Sequence, residues 1–125
     1  MDDELLPIGK LSKQANISTD TLRYYDDIGL LKPAYISGES GYRYYAAAQV
    51  ETLAKIKELK SYGFSLGDIK VALQKDEASL VELYQKKYWA LLQEKEKLQK
   101  TIDQLAEKIK THQEVHFNEK NFISR

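Results

Sequence analysis

The sequence predicts a mainly α-helical chain: short helices around a β-hairpin over residues 1–75, one long helix over 76–112, and a linker-like tail over 113–125. Three observations predict it. Residues 5–45 hold six of the nine tyrosines, both prolines and four of the six glycines, the composition of short elements joined by turns. From Asp76 onward there is neither Gly nor Pro, and Leu, Lys, Glu and Gln dominate, which suits an unbroken helix. Along that second stretch the apolar residues repeat in heptads.

Pro7 sits well at a first helical turn, and Ile8, Leu11 and Ala15 follow at helical spacing. Asn16 and Ile17 break this helix. Ser18 is an N-cap for a second helix through Thr19, Asp20 and Thr21, and Gly29 closes it. Leu22 and Tyr25 share its inward face, while Asp20, Arg23, Tyr24 and Asp27 project outward. Two helices joined by a short turn, the second polar and aromatic outside, outline a helix-turn-helix. Next, Ala34-Tyr35-Ile36 and Tyr42-Arg43-Tyr44-Tyr45 flank the loop Ser37 to Gly41 and read as a hairpin, a wing. Helix returns over Ala46 to Tyr62, with Val50, Leu53, Ile56 and Leu59 inward and Gly63 as its stop. A fourth helix starts at Ser65, where Ser65 and Asp68 form a capping pair and Leu66, Ile69 and Leu73 supply the buried side.

Val81, Tyr84, Tyr88, Leu91, Lys95, Leu98, Ile102, Leu105 and Ile109 are spaced alternately by three and four, an a/d register of a coiled coil. Such a seam is unstable facing water. The chain holds no second heptad segment, so a second copy is the economical partner, with Val81, Tyr84, Tyr88, Leu91, Leu98, Ile102, Leu105 and Ile109 as dimerisation residues. Lys95 interrupts the seam, a device that fixes register or strand number at a cost in stability.

Nineteen Lys and Arg balance nineteen Asp and Glu, ten of each sign up to Lys75 and nine of each after it, so neither half is drawn to nucleic acid or membrane by bulk charge. The absence of cysteine excludes disulfides, thiolate metal sites and iron–sulfur clusters. No apolar run approaches the ~18 residues of a membrane span. The start MDDELLPIG is acidic where a secretory signal is basic and then apolar, so the chain reads as soluble and cytoplasmic. Catalytic constellations are missing: Ser37-Gly38-Glu39-Ser40-Gly41 lacks the spacing and flanks of a nucleophile elbow, and no phosphate-cradling glycine loop is present. His112 and His116 are four apart, but they continue the heptad and lack a third ligand. No enzyme, cofactor or metal is expected.

Arg23 and Tyr24 on the second helix, with Tyr42 and Arg43 just past the hairpin tip, are types used on DNA: Arg to base edges or phosphate, Tyr hydroxyl to phosphate. The same helix carries Asp20, Asp26 and Asp27, so attraction must come from flanking lysines such as Lys10, Lys13, Lys32, Lys55, Lys57 and Lys60. Two functions compete. One is a regulator that binds double-stranded DNA; the other is a coiled-coil interaction module whose winged head docks on protein.

Ile8-Gly9-Lys10-Leu11-Ser12-Lys13, Thr21-Leu22-Arg23-Tyr24-Tyr25-Asp26, Ile28-Gly29-Leu30-Leu31-Lys32-Pro33, Gly41-Tyr42-Arg43-Tyr44-Tyr45 and Gly63-Phe64-Ser65-Leu66 together resemble the MerR family of bacterial transcription regulators. The ordered set spans about the first 75 residues, and the tyrosine-rich stretch is most similar to the multidrug-regulator, BmrR-like branch. The resemblance implies a winged helix-turn-helix that dimerises through an antiparallel coiled coil. It implies a homodimer on an inverted-repeat promoter operator, acting with RNA polymerase by bending and untwisting DNA. By carry-over Arg23 and Tyr24 contact the major groove and adjacent phosphates, Tyr42 and Arg43 hold the backbone from the wing, and Lys60 adds a phosphate clamp. Ser18, Thr21 and Tyr25 are further DNA-binding candidates, Ser18 doubling as a cap and Tyr25 as part of the core. Two departures stand out: Ala46-Ala47-Ala48 opens the third helix where the family often has a polar cap, and neither an effector domain nor metal-sensing cysteines follow the coiled coil. Two readings of that end stay open: the DNA-binding and dimerisation half of a longer protein, whose C-terminal domain could take a small-molecule inducer, or a short member with an unrecognised or absent inducer site; the tail His116 to Phe122 reads as an unfinished linker and favours the first.

Overall fold

The computed structural model describes residues 4–123. Met1 to Asp3 of the acidic start, and the last two residues of the expected tail, lie outside the described residues. The chain divides into two units between Lys75 and Asp76.

In the first unit the order is β1 (Leu6–Pro7), α1 (Ile8–Ala15), α2 (Thr19–Asp27), β2 (Tyr35–Ile36), β3 (Arg43–Tyr45), α3 (Ala47–Ser61) and α4 (Leu66–Ala72). The helices end and begin on side chains visible in the sequence. Asn16 closes α1 in the left-handed region at φ 54°, which its short amide side chain tolerates. Ser18 caps α2, its Oγ accepting from the Thr21 N–H at 3.0 Å. Gly29, at φ 75°, stops α2 in a Schellman turn: the Gly29 N–H donates to the Asp26 carbonyl at 3.0 Å and the Leu30 N–H to the Tyr25 carbonyl at 2.8 Å. The Gly63 and Phe64 amides close α3 the same way onto Lys60 and Leu59. Ser65 caps α4 by accepting from the Asp68 N–H at 3.1 Å.

The third helix starts at Ala46 with no side-chain cap, and Gln49 makes only the reciprocal half of a capping box. Its Oε1 accepts from the Ala46 N–H at 2.9 Å, while its Nε2 donates to the Lys32 carbonyl. The polar cap is therefore only partly replaced: the Ala46 amide is satisfied from within the helix, while Ala46 has no side-chain oxygen to accept from the first helical amides.

The wing is larger than a hairpin. β3 is the middle of a three-stranded antiparallel sheet in the order β1-β3-β2, pairing Leu6 with Tyr45, Pro7 with Tyr44, Tyr35 with Tyr44 and Ile36 with Arg43. The two-residue strand β1 was not expected from the sequence. Leu11, Leu22, Tyr25, Tyr45, Leu53, Ile56, Leu59 and Ile69 form the solvent-free centre of the head. On α3 the expected inward residues Leu53, Ile56 and Leu59 are buried and Val50 is half-buried; on α4 Ala72 joins Ile69 inside, and Leu66 and Leu73 are half-buried.

The second unit is one helix, α5 (Glu77–Ile123), capped by Asp76, whose Oδ1 accepts from the Ser79 N–H at 2.8 Å. It passes the expected end at His112, so residues 113–123 are helix where a linker was expected. Nothing in that stretch stops a helix: it has no Gly or Pro, and Gln113, Glu114, Glu119 and Lys120 favour one. At ~1.5 Å per residue its 47 residues reach about 70 Å. Among the described residues no helix is long and apolar enough to cross a membrane.

Candidate nucleic-acid interface

Arg23 and Tyr24 stand on the outer face of α2, both exposed, with Tyr24 at 52%. Helical spacing puts Leu22 and Tyr25 on the opposite, core side. Tyr25 is 2% exposed and belongs to the core, so among the DNA-binding candidates it is far less accessible than Arg23 and Tyr24. Ser18 and Thr21 are spent largely on each other, since their hydroxyls lie 2.8 Å apart and Ser18 also caps the helix.

The wing strand sorts its residues by alternation. Arg43 and Tyr45 turn inward; Tyr42 and Tyr44 turn outward and join Tyr35 in a row of tilted rings, with centroids 6.1 Å apart for Tyr42–Tyr44 and 6.0 Å for Tyr35–Tyr44. Tyr42 and Arg43, adjacent in sequence, thus differ in exposure, Tyr42 open to solvent and Arg43 half-buried, though both border the cleft described below. Arg43 reaches across to α2, where its Nε donates to Asp26 Oδ2 at 3.2 Å. Lys32 Nζ lies 3.5 Å from the other carboxylate oxygen. Asp26 is 14% exposed, and its charge lies on the last turn of α2, where the helix dipole disfavours an anion; the two cations offset it. Asp20, at the favourable end of the helix, lies 3.6 Å from Arg23 Nη1.

These residues surround a cleft of about 230 Å³ between α2 and the wing, lined by Ile8, Arg23, Ser40, Gly41, Tyr42 and Arg43. The cleft gathers three of the expected DNA-binding residues and two guanidinium groups, with no carboxylate in its lining. Tyr24 and Lys60 are not part of that lining; Lys60 stands exposed on the last turn of α3. Of the flanking lysines expected to meet phosphate, Lys32 is engaged with Asp26 and Lys57 donates to the Ala15 carbonyl, whereas Lys10 and Lys13 remain exposed. Beneath the wing, Tyr45 is wholly buried and its hydroxyl has no hydrogen-bond partner among the described residues. Burial pushes that hydroxyl's pKa up, the Asp26 charge adds to the rise, and Arg43 and Arg23 oppose it.

Sequence reasoning missed the organising role of Asp26 and counted it only as a liability for DNA. The signal was present: an acid in a helix's last turn needs cations from elsewhere. Along α5, Val81, Tyr88, Leu91, Leu98, Ile102, Leu105 and Ile109 are exposed and Tyr84 is half-buried, leaving the apolar stripe uncovered in the single chain. His112 Nδ1 is 2.9 Å from the Lys108 carbonyl within the helix, and among the described residues no three His, Cys, Asp or Glu gather as a metal would need.

A family model described as "MerR HTH family regulatory protein" matches residues 6–76. The chain is similar to the multidrug-efflux transporter 1 regulator of Bacillus subtilis, 42% identical over 84 residues, which are 67% of this chain and 30% of that protein. The chain therefore spans under a third of that relative's length. Among solved structures it is similar to the N-terminal part of MtaN, the Bacillus subtilis multidrug transporter activator, with a TM-score of 0.76 and 27% identity over 82% of this chain and 96% of that one. It is also similar to HiNmlR, a MerR family regulator lacking the sensor domain and bound to promoter DNA, with a TM-score of 0.58 and 25% identity over 89% of this chain and 92% of that one. The match runs from β1 through the helix-turn-helix, wing, α3 and α4 to the threshold of α5, and the chain belongs to the MerR family of helix-turn-helix regulatory proteins.

Proposed function

We propose that this chain binds double-stranded promoter DNA in the cytoplasm as a homodimer, on an inverted-repeat operator, and regulates transcription by distorting that DNA for RNA polymerase. It performs no catalysis. The observation that carries the reading is the carboxylate-free cleft, where Arg23 from α2 and Arg43 from the wing face one space. An α2 helix in the major groove puts Arg23 and Tyr24 at base edges and adjacent phosphates, while Tyr42, Arg43 and Lys60 grip the flanking backbone. Thr21 and Ser18 sit at the entry of that helix and shape its start. The uncovered stripe of α5 supports the homodimer, because an exposed heptad seam gains stability by burying itself against a like seam run antiparallel to it. A further domain taking a small-molecule inducer fits the 30% share of the multidrug regulator that the chain covers.

The test is selection of duplexes from a random pool, followed by fluorescence anisotropy at several salt concentrations with Arg23→Ala and Arg43→Ala alongside. The expected outcome is an enriched inverted repeat, affinity falling steeply with salt, and about tenfold or greater loss in each variant, with dimerisation intact by sedimentation. Unchanged affinity in both variants removes the residue assignment. Absence of any enriched sequence or salt-dependent binding removes the DNA reading and favours a head that docks on protein.

A further inference from the structure

Arg43 is held in an unusual way for a residue that meets DNA. Its Nε is bonded to Asp26 at 3.2 Å, and its two Nη groups make no bond among the described residues. A carboxylate that competes with phosphate takes the guanidinium as a two-pronged fork. Asp26 takes one prong at the side and leaves the other N–H groups free, while Arg43 lines the cleft with Arg23. The carboxylate is itself fixed: Lys32 Nζ lies 3.5 Å from its Oδ1 and 3.4 Å from the Asp26 carbonyl. The Lys32 carbonyl in turn accepts from Gln49 Nε2, and Gln49 Oε1 holds the Ala46 amide directly after β3. A closed circuit thus joins the end of α2, the loop after it, the last wing strand and the first turn of α3.

We propose that Asp26 is a positioning residue for DNA binding: by holding the Nε of Arg43 across the junction of α2 and wing, it aims the Nη groups of Arg43 into the cleft beside Arg23, fixing the spacing of two arginines that together receive a backbone phosphate. This rests on the DNA-binding reading above. The carboxylate occupies a helix end where an anion is unfavourable, and a buried-edge ion pair fixes geometry better than it adds stability. A guanidinium held in advance loses less freedom when the phosphate arrives.

The experiment measures affinity for the selected duplex, and its dependence on salt, for the wild-type chain, Asp26→Ala, Asp26→Asn, Arg43→Ala and the Asp26→Ala/Arg43→Ala pair. Asp26→Ala is expected to weaken binding about tenfold, close to the loss in Arg43→Ala, and the pair to bind no worse than either single variant, because both remove one interaction. Asp26→Asn keeps an oxygen that accepts from Nε and is expected to stay within about threefold of wild type. Additive losses in the pair overturn the proposal. So does tighter binding by both Asp26 variants, which makes Asp26 a competitor of phosphate. Should Asp26→Ala fail to fold, Asp26→Ser decides: its shorter hydroxyl does not reach the Nε of Arg43, so a loss near that of Arg43→Ala supports the proposal and near wild-type affinity overturns it. A wild-type chain that binds no duplex fails the DNA reading itself, an outcome distinct from any pattern among the variants.

Discussion

Lys57 of α3 donates from its Nζ to the carbonyl oxygen of Ala15 at 2.6 Å, joining residues 42 apart in sequence at the end of α1. The last turn of a helix leaves carbonyls without intrahelical partners, and an ammonium there satisfies one and suits the dipole. Lys57→Met keeps the aliphatic stem and removes the donor. The head is expected to lose about 1 kcal/mol in urea unfolding. An unchanged midpoint means that water replaces the bond at no cost.

Gly29 stops α2 with φ 75°, and a Cβ added there meets Lys70 Nζ at 3.0 Å. That ammonium is bonded to the Ile28 carbonyl at 3.2 Å, so moving it away forfeits a second cap. Gly29→Ala is expected to destabilise the head by about 1–2 kcal/mol. Gly29→Asn, whose side chain tolerates the left-handed region, should cost less, and equal losses in the two thermal melts contradict the backbone argument.

Tyr45→Phe should stabilise the head, since it deletes a buried hydroxyl without a hydrogen-bond partner and leaves the ring in place. The expected gain is about 1 kcal/mol at neutral pH. The hydroxyl's pKa is raised above its ordinary 10.0 in the folded state. Folding therefore keeps its full contribution below pH 10.0 and loses it as the pH rises through the folded value, because the unfolded chain ionises first. The variant's advantage should widen in alkaline solution. Urea midpoints that run parallel across that range refute this origin.

Lys95 is the one charged residue in the a/d stripe between Val81 and Ile109. Lys95→Leu is expected to raise the melting temperature of the dimer and to relax its strand number, read by circular dichroism and sedimentation. An unchanged melt places Lys95 outside the seam and shifts the register.

The helices were legible because their ends are chemical: Ser18, Gly29, Gly63 and Ser65 each act in the structure through the groups that made them readable. β1 was not legible, because Leu6 and Pro7 carry no alternation of their own and are extended through pairing with β3, nearly forty residues away. The end of α5 is less legible: the tail composition suggests a linker after His112, although a helix continues wherever nothing breaks it, and α5 runs to Ile123. At the site, Arg23, Tyr42 and Arg43 were legible by residue type. The bond between Arg43 and Asp26 was not, because it spans 17 residues and depends on how the wing folds back on α2.

The paired edges of β3 have a consequence for how the wing moves. With β2 bonded on one side and β1 on the other, β3 cannot peel away as a flap; releasing it also frees the residues leading directly into Ile8 and α1. Its amide hydrogens should then exchange with solvent through opening of the whole head, on the slowest timescale that the head offers. The loop from Ser37 to Gly41 lies outside that ladder and is closed by its own bonds, Gly41 N–H to the Ser37 carbonyl at 2.8 Å among them, so opening the tip does not require the strand that carries the arginine to move.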